Sequence, residues 1–274
     1  MPTPIVKARL RDGIRRLPGG GAPLFAAWRE LARLRARLDA TLQAAWRSHL
    51  PHPDTIYWIP PQAVVRHTDW YPPGRPPPPP KDRVFDPRRH RGRTIGGDWD
   101  LGAFEFANLD VYRALERRIR DGASWESTEL HTRLRHELDR DGRTSWYIAS
   151  RRDLDAHFAR LDALVASIAR HGVLPSRDTA ARGRRAGAHP ACDSDIEVNV
   201  GRDGDWLFQD GRHRLAIARL LSLPRVPVQV VVRHSQWAAQ RERLRAAREG
   251  RADPTDVGPA DHPDLADLRA ELRR

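Results

Sequence analysis

The sequence predicts an α+β protein, a small mixed sheet with packed helices, preceded by a mainly helical N-terminal region. Three observations carry this. Ile196, Val198 and Val200 alternate with Glu197 and Asn199, the period of a half-buried strand, and Val226, Val228, Val230 and Val232 repeat the alternation after one intervening helix. Leu154, Phe158, Leu161, Leu164, Val165 and Ile168 line one face of a helix that ends at Gly172, where a left-handed cap is expected. Leu24, Trp28, Leu31, Leu34, Leu38, Leu42 and Trp46 recur every three or four residues near the N-terminus and predict an amphipathic helix closed by Pro51 and Pro53.

Taken in chain order, residues 1–71 read as a basic, mainly helical region that opens with an arm ending in Gly19-Gly20-Gly21. Residues 72–94 are a Pro- and Arg-rich linker, because the run PPGRPPPPP has few backbone donors for a ladder and favours an extended polyproline spacer. The charge then switches to the turn-like GGDWD of residues 96–100, which sets the expected domain boundary near 95. Residues 95–250 form the principal domain, with its core at 154–233, and 251–274 form a tail. Within that domain a helix over 111–120 stops at Asp121-Gly122, and a second runs from about Ser124 to Arg140 and stops at Asp141-Gly142. Residues 176–191 lack periodicity and read as a surface loop. Asp203-Gly204 is a hairpin turn joining the 196–200 strand to a return strand at 205–208. A helix from Arg212 to Leu221 and the valine strand follow, Pro224 lying between them, and a last amphipathic helix runs near 237–248.

The formal net charge of +12 is unevenly placed: residues 1–95 hold 18 basic and 7 acidic side chains, and residues 96–274 hold 30 and 29. A nucleic-acid surface would therefore sit in the N-terminal third. All the basic residues except Lys7 and Lys81 are arginine, a bias that a GC-rich genome also produces. The single cysteine, Cys192, excludes an intrachain disulfide and a cysteine zinc cluster. Without an apolar leader or a spanning apolar run, the expectation is a cytoplasmic protein with no membrane partner.

The most informative motif is Asp210-Gly211-Arg212-His213-Arg214, where a strand gives way to an apolar helix. Helix N-termini carry unpaired N–H groups and partial positive charge, so basic residues there make a natural phosphate seat. Gly211, Arg212, His213 and Arg214 are the candidate phosphate- or nucleotide-binding residues. Asp210 and His213 are candidate catalytic groups, Asp210 to orient an arginine or hold Mg2+ through water and His213 to hydrogen-bond or protonate a phosphate oxygen. In the alternative reading Asp210 caps the helix and His213 and Arg214 lie on its solvated face. Asp98 and Asp100, two residues apart around Trp99, either share a divalent ion or are turn residues with Trp99 plugging the core. Glu197, Arg233 and His234 are further cleft candidates, and Trp237 either stacks a base or packs.

The helix LDALVASIARHGVLP, the strand IEVNV, the hairpin and the segment GRHRLAIARLLSLPRVPVQVVV resemble, in that order, the ParB/sulfiredoxin-like superfamily. Ser167-Ile168 with Gly172, and Gly211 with Arg214, match its two short motifs over residues 154–233. The resemblance implies a nucleotide ligand (ATP, ADP or CTP) with Mg2+ at the DGRHR loop. It does not imply a complete partition ParB, since the 41 residues after Arg233 are too few for the DNA-reading and dimerisation domains and an E-N-x-x-R motif is missing downstream. Nor does it imply a sulfiredoxin, since Arg212 stands where that family has its catalytic cysteine. The DGRHR loop is most similar to uncharacterised prokaryotic members and to free serine kinases, and GGDWD and VVRHSQW extend the likeness to residues 95–240. The expected function is binding of a nucleotide or phosphorylated small molecule, with small-molecule phosphotransfer or nucleotide hydrolysis as the reaction if there is one. The alternatives are a ParB-like DNA-binding protein that uses its basic N-terminal region, and a non-catalytic interaction module.

Overall fold

The computed structural model describes residues 50–68 (except 53), 90–175 (except 103 and 147), 195–252 and 261–269. The helix expected over 24–46, the polyproline run at 72–80, the 176–191 loop and Cys192 lie outside the described residues. The described chain is mixed: six strands in one sheet, with helices packed against it.

The strands are β1 (Ile56–Ile59), β2 (Val64–His67), β3 (Arg93–Ile95), β4 (Ile196–Val200), β5 (Trp206–Asp210) and β6 (Val226–His234), and the main path runs β1-β6-β4-β5-β2. β4 pairs antiparallel with β5 across the expected hairpin, where Gly204 has φ +91 and its N–H donates to Gly201 O. β4 lies parallel to β6, because α4 (Arg212–Leu220) and β5 intervene and carry the chain back to the starting edge. β6 is long enough to hold β1 along its first half and β3 along its second.

The expected boundary near 95 is corrected by this pairing. β1 and β2, which fall in the region expected to be mainly helical, flank the sheet at opposite edges, so residues on both sides of the Pro-rich run build one sheet. Ile59 and Val64 are fully buried in the main core.

That core lies on one sheet face. Ile196, Val198, Val200, Phe208, Val228 and Val230 point into it from the sheet, against α1 (Asp110–Arg120), α3 (Arg151–His171) and α4. α3 begins where Ser150 accepts the Asp153 N–H at 3.1 Å and returns a bond to the Asp153 carboxylate, and it buries Leu154, Phe158, Leu161 and Ile168. Gly172 ends it with a positive φ of +68 but an extended ψ of −172°, so the helix stops where expected and the expected left-handed cap does not form. Before it, α2 (Glu129–Asp141) is capped by Thr128 and closed by left-handed Gly142. On the other face Trp99, Leu207, Val231 and Val232 form a smaller cluster. α5 (Ser235–Arg248) follows β6 directly, and a 3-10 turn with the short α6 (Ala266–Arg269) ends the described chain.

Candidate functional site

The DGRHR loop is built by a backbone that only glycine fits. Gly211 adopts φ +89 and ψ +28, and a Cβ there would stand 3.0 Å from Ile196 Cα and 3.3 Å from Asp195 O. This close approach turns β5 sharply into α4. Asp210 Oδ1 accepts the Gly211 N–H at 2.7 Å, and no side chain caps α4, so Asp210 does not have the capping role that the alternative reading gave it. Among the described helices of eight or more residues, α4 is the one with neither a capping side chain nor an acidic residue in its first turn. Its opening N–H groups and its partial charge are instead accompanied by Arg212 and Arg214.

An aromatic cluster gathers around the side chains of this first turn. The Arg212 guanidinium lies 4.5 Å from the centre of the Trp146 ring, in the loop after α2. His213 meets Trp146 edge-on at 5.7 Å and His157 of α3 at 5.9 Å, and His157 meets Trp146 at 5.3 Å. Arg133 approaches the same indole at 5.8 Å and is held by Asp110, at 3.0 Å from Nε and 2.6 Å from Nη2, and by Glu137. His213 is half-buried, yet its Nε2 atom is shut off from solvent with no hydrogen-bond partner. Burial, then the nearby Arg212 and His157, hold its pKa well below the usual histidine value. The expected proton donation by His213 is corrected accordingly: near neutral pH it is an uncharged ring.

His67, at the end of β2, flanks the loop from the other side. Its Nδ1–H donates to Thr68 O at 2.7 Å and its ring meets Phe208 edge-on at 5.0 Å. Burial lowers its pKa to about 4, with Arg212 pushing the same way and the Thr68 bond and Asp210 opposing. His67, Trp146, His157, Arg133 and Asp110 went unread in the sequence because each is an isolated residue on a separate segment. Only the folding of β2, the loop after α2, α3 and α1 around α4 assembles them.

The remaining candidates lie elsewhere or are engaged. Glu197 faces Asp210 across the β4–β5 ladder, but its carboxylate is paired with Arg91 and both side chains are 13% exposed. Arg233 is buried and chelates Asp264, so it lines no open cleft. His234 is buried too: its Nε2–H donates to Gly97 O at 2.9 Å and its Nδ1 accepts the Gln236 N–H at the start of α5. Trp237 is fully buried and donates to Asp264.

Asp98 and Asp100 hold a guanidinium in the place that one of the two readings gave to a divalent ion. Arg202 donates to Asp98 at 2.9 Å and to Asp100 at 2.8 Å through Nη2, and its backbone N–H reaches Asp100 at 2.8 Å. Burial raises the Asp100 pKa, but the bonds from Arg202 outweigh it and hold the carboxyl below its ordinary value. Trp99 packs in the second core cluster, as the turn reading had it. No cluster of three or more His, Cys, Asp or Glu fit for a metal occurs among the described residues, and none of their helices is long and apolar enough to cross a membrane. No protein-family model, curated protein or solved structure matches the chain.

Proposed function

We propose that the N-terminus of α4 seats a phosphate group of a nucleotide (ATP, ADP or CTP) or of a phosphorylated small molecule. The observation that carries this is an uncapped, acid-free helix start opening on Arg212, with Arg214 two residues on. A phosphate would take N–H groups of the uncapped first turn and charge-assisted bonds from Arg212. The partnerless Nε2 of His213 supports the same reading, because a buried polar atom left unpaired costs about 1–3 kcal/mol that a ligand oxygen or N–H would recover. The resemblance of residues 154–233 to the ParB/sulfiredoxin-like domains leads to the same loop. In a transfer or hydrolysis reaction, Asp210, which is exposed, would orient an arginine or hold, through water, a Mg2+ ion carried in on the phosphates.

Calorimetric titration with ATP, ADP and CTP, each with and without Mg2+, tests the proposal. Arg212→Ala should weaken binding at least about tenfold, the worth of one charge-assisted hydrogen bond. No binding of any of the three overturns it. The surplus of 18 basic over 7 acidic residues in 1–95 supports a second reading, salt-sensitive binding of DNA by that region. Failure of the full chain to shift duplex DNA at low salt removes it.

A further inference from the structure

The last described residues are held as a bound peptide would be. In residues 261–269 one face is buried, through Asp264, Leu265 and Leu268, while Ala266 and Asp267 face outward. What receives that face comes from four separate elements: Tyr57 of β1, Trp206 of β5, Arg233 of β6, and Trp237 and Arg241 of α5. The Asp264 carboxylate accepts from Arg233 Nη2 at 2.5 Å, Arg233 Nε at 2.9 Å and Trp237 Nε1 at 2.9 Å, with Arg241 Nη1 at 3.7 Å. Arg233 Nη2 also donates to the Tyr57 hydroxyl at 3.0 Å, and Arg241 Nη2 reaches Asp267 at 2.7 Å. His262 stacks on Trp206 at 4.5 Å, donates through Nε2–H to Gly204 O, and accepts the Asp264 N–H at Nδ1.

β6 and α5 bring two guanidiniums into a site where Arg233 is 2% and Arg241 0% exposed. Like charges in a dry site repel unless an anion sits between them, so the pocket requires a carboxylate. The fork of Arg233 beside the Trp237 N–H suits a planar carboxylate, and Leu265 and Leu268 add apolar anchors one and four residues later. We propose that this pocket is a docking site for an acidic peptide of the pattern Asp-Leu-x-x-Leu on a partner protein, and that residues 261–269 fill it as a resident competitor. The partner's peptide enters by exchange, its carboxylate replacing that of Asp264, so the two arginines are never left facing each other.

The test uses the full chain with a site-specific protease sequence inserted after Pro254. After cleavage, a fluorescent peptide of residues 260–270 is added, and anisotropy and circular dichroism are recorded. The cut protein should stay folded and capture the peptide. A peptide with Asn in place of Asp264 should bind at least tenfold more weakly. Uncut protein should bind at least about a hundredfold more weakly, because the tethered segment competes at an effective concentration of about millimolar. Unfolding on cleavage, no exchange of the cut segment over a day, or equal binding of the Asn peptide would each overturn the proposal.

Discussion

Gly211 carries two separate demands, a positive φ and a backbone neighbour 3.0 Å from where a Cβ would be. Gly211→Ala should therefore destabilise the protein by about 1–3 kcal/mol in urea unfolding, and by more if β4 cannot give way. Asp264 presents the opposite case, a side chain whose removal leaves charge behind. Asp264→Ala would strand two buried guanidiniums and should cost about 3–5 kcal/mol in the same measurement. The residues that fold the chain and those that offer chemistry were unequally legible. Gly211 and Arg212 announce themselves through a strand, a turn and a helix in immediate succession. Arg233 and His234 looked like ligand groups because they end a strand. Their partners, Asp264 and Gly97, lie far from them in sequence, and no local pattern carries such a pairing.

At the level of elements, the long ones were readable and the short ones were not. α3 buries residues at three- and four-residue intervals over 21 residues, so its period is unmistakable. β1 and β2 have four residues each and are enclosed by prolines and a 3-10 turn, too short for a period of two to register. What α4 offers is clearest in contrast with its neighbours: Thr128, Ser150 and His234 each accept an N–H at the start of α2, α3 and α5, and no side chain caps α4. Arg212→Glu should expose that difference. An acid in the first turn gains about 0.3–1 kcal/mol from the helix dipole, and losing the guanidinium over Trp146 costs about 0.5–1 kcal/mol. Thermal stability should change by no more than about 1 kcal/mol while phosphate binding disappears. A large fall in melting temperature would mean that Arg212 serves the fold instead.

For the whole molecule, the sheet decides what can be cut away and how the protein meets acid. A chain beginning at residue 95 loses β1 from the edge of β6 and β2 from the edge of β5, together with Ile59 and Val64 of the core. It should show no cooperative unfolding transition by circular dichroism, whereas a chain beginning at residue 50 keeps every described strand. The pH dependence follows from groups that burial holds in one ionisation state. His67, whose pKa falls from 6.5 to about 4, is neutral in the folded protein, and so are His213 and His262, which burial also lowers. Below pH 6.5 the unfolded chain takes up these protons first, so stability falls as pH falls. His67 alone accounts for roughly 3 kcal/mol by pH 4. Asp264 adds a second stage in the same direction. Burial raises its pKa, but Arg233 and Arg241 overcome this and bring it from 3.8 to about 2, so its contribution of about 2 kcal/mol is intact above pH 4 and is lost as pH falls through 2. Urea midpoints measured from pH 7 to pH 3 should decline throughout. His67→Gln, which keeps a donor for Thr68 O but cannot titrate, should flatten the decline between pH 6.5 and 4. An unchanged slope in that variant would place the acid sensitivity on other groups.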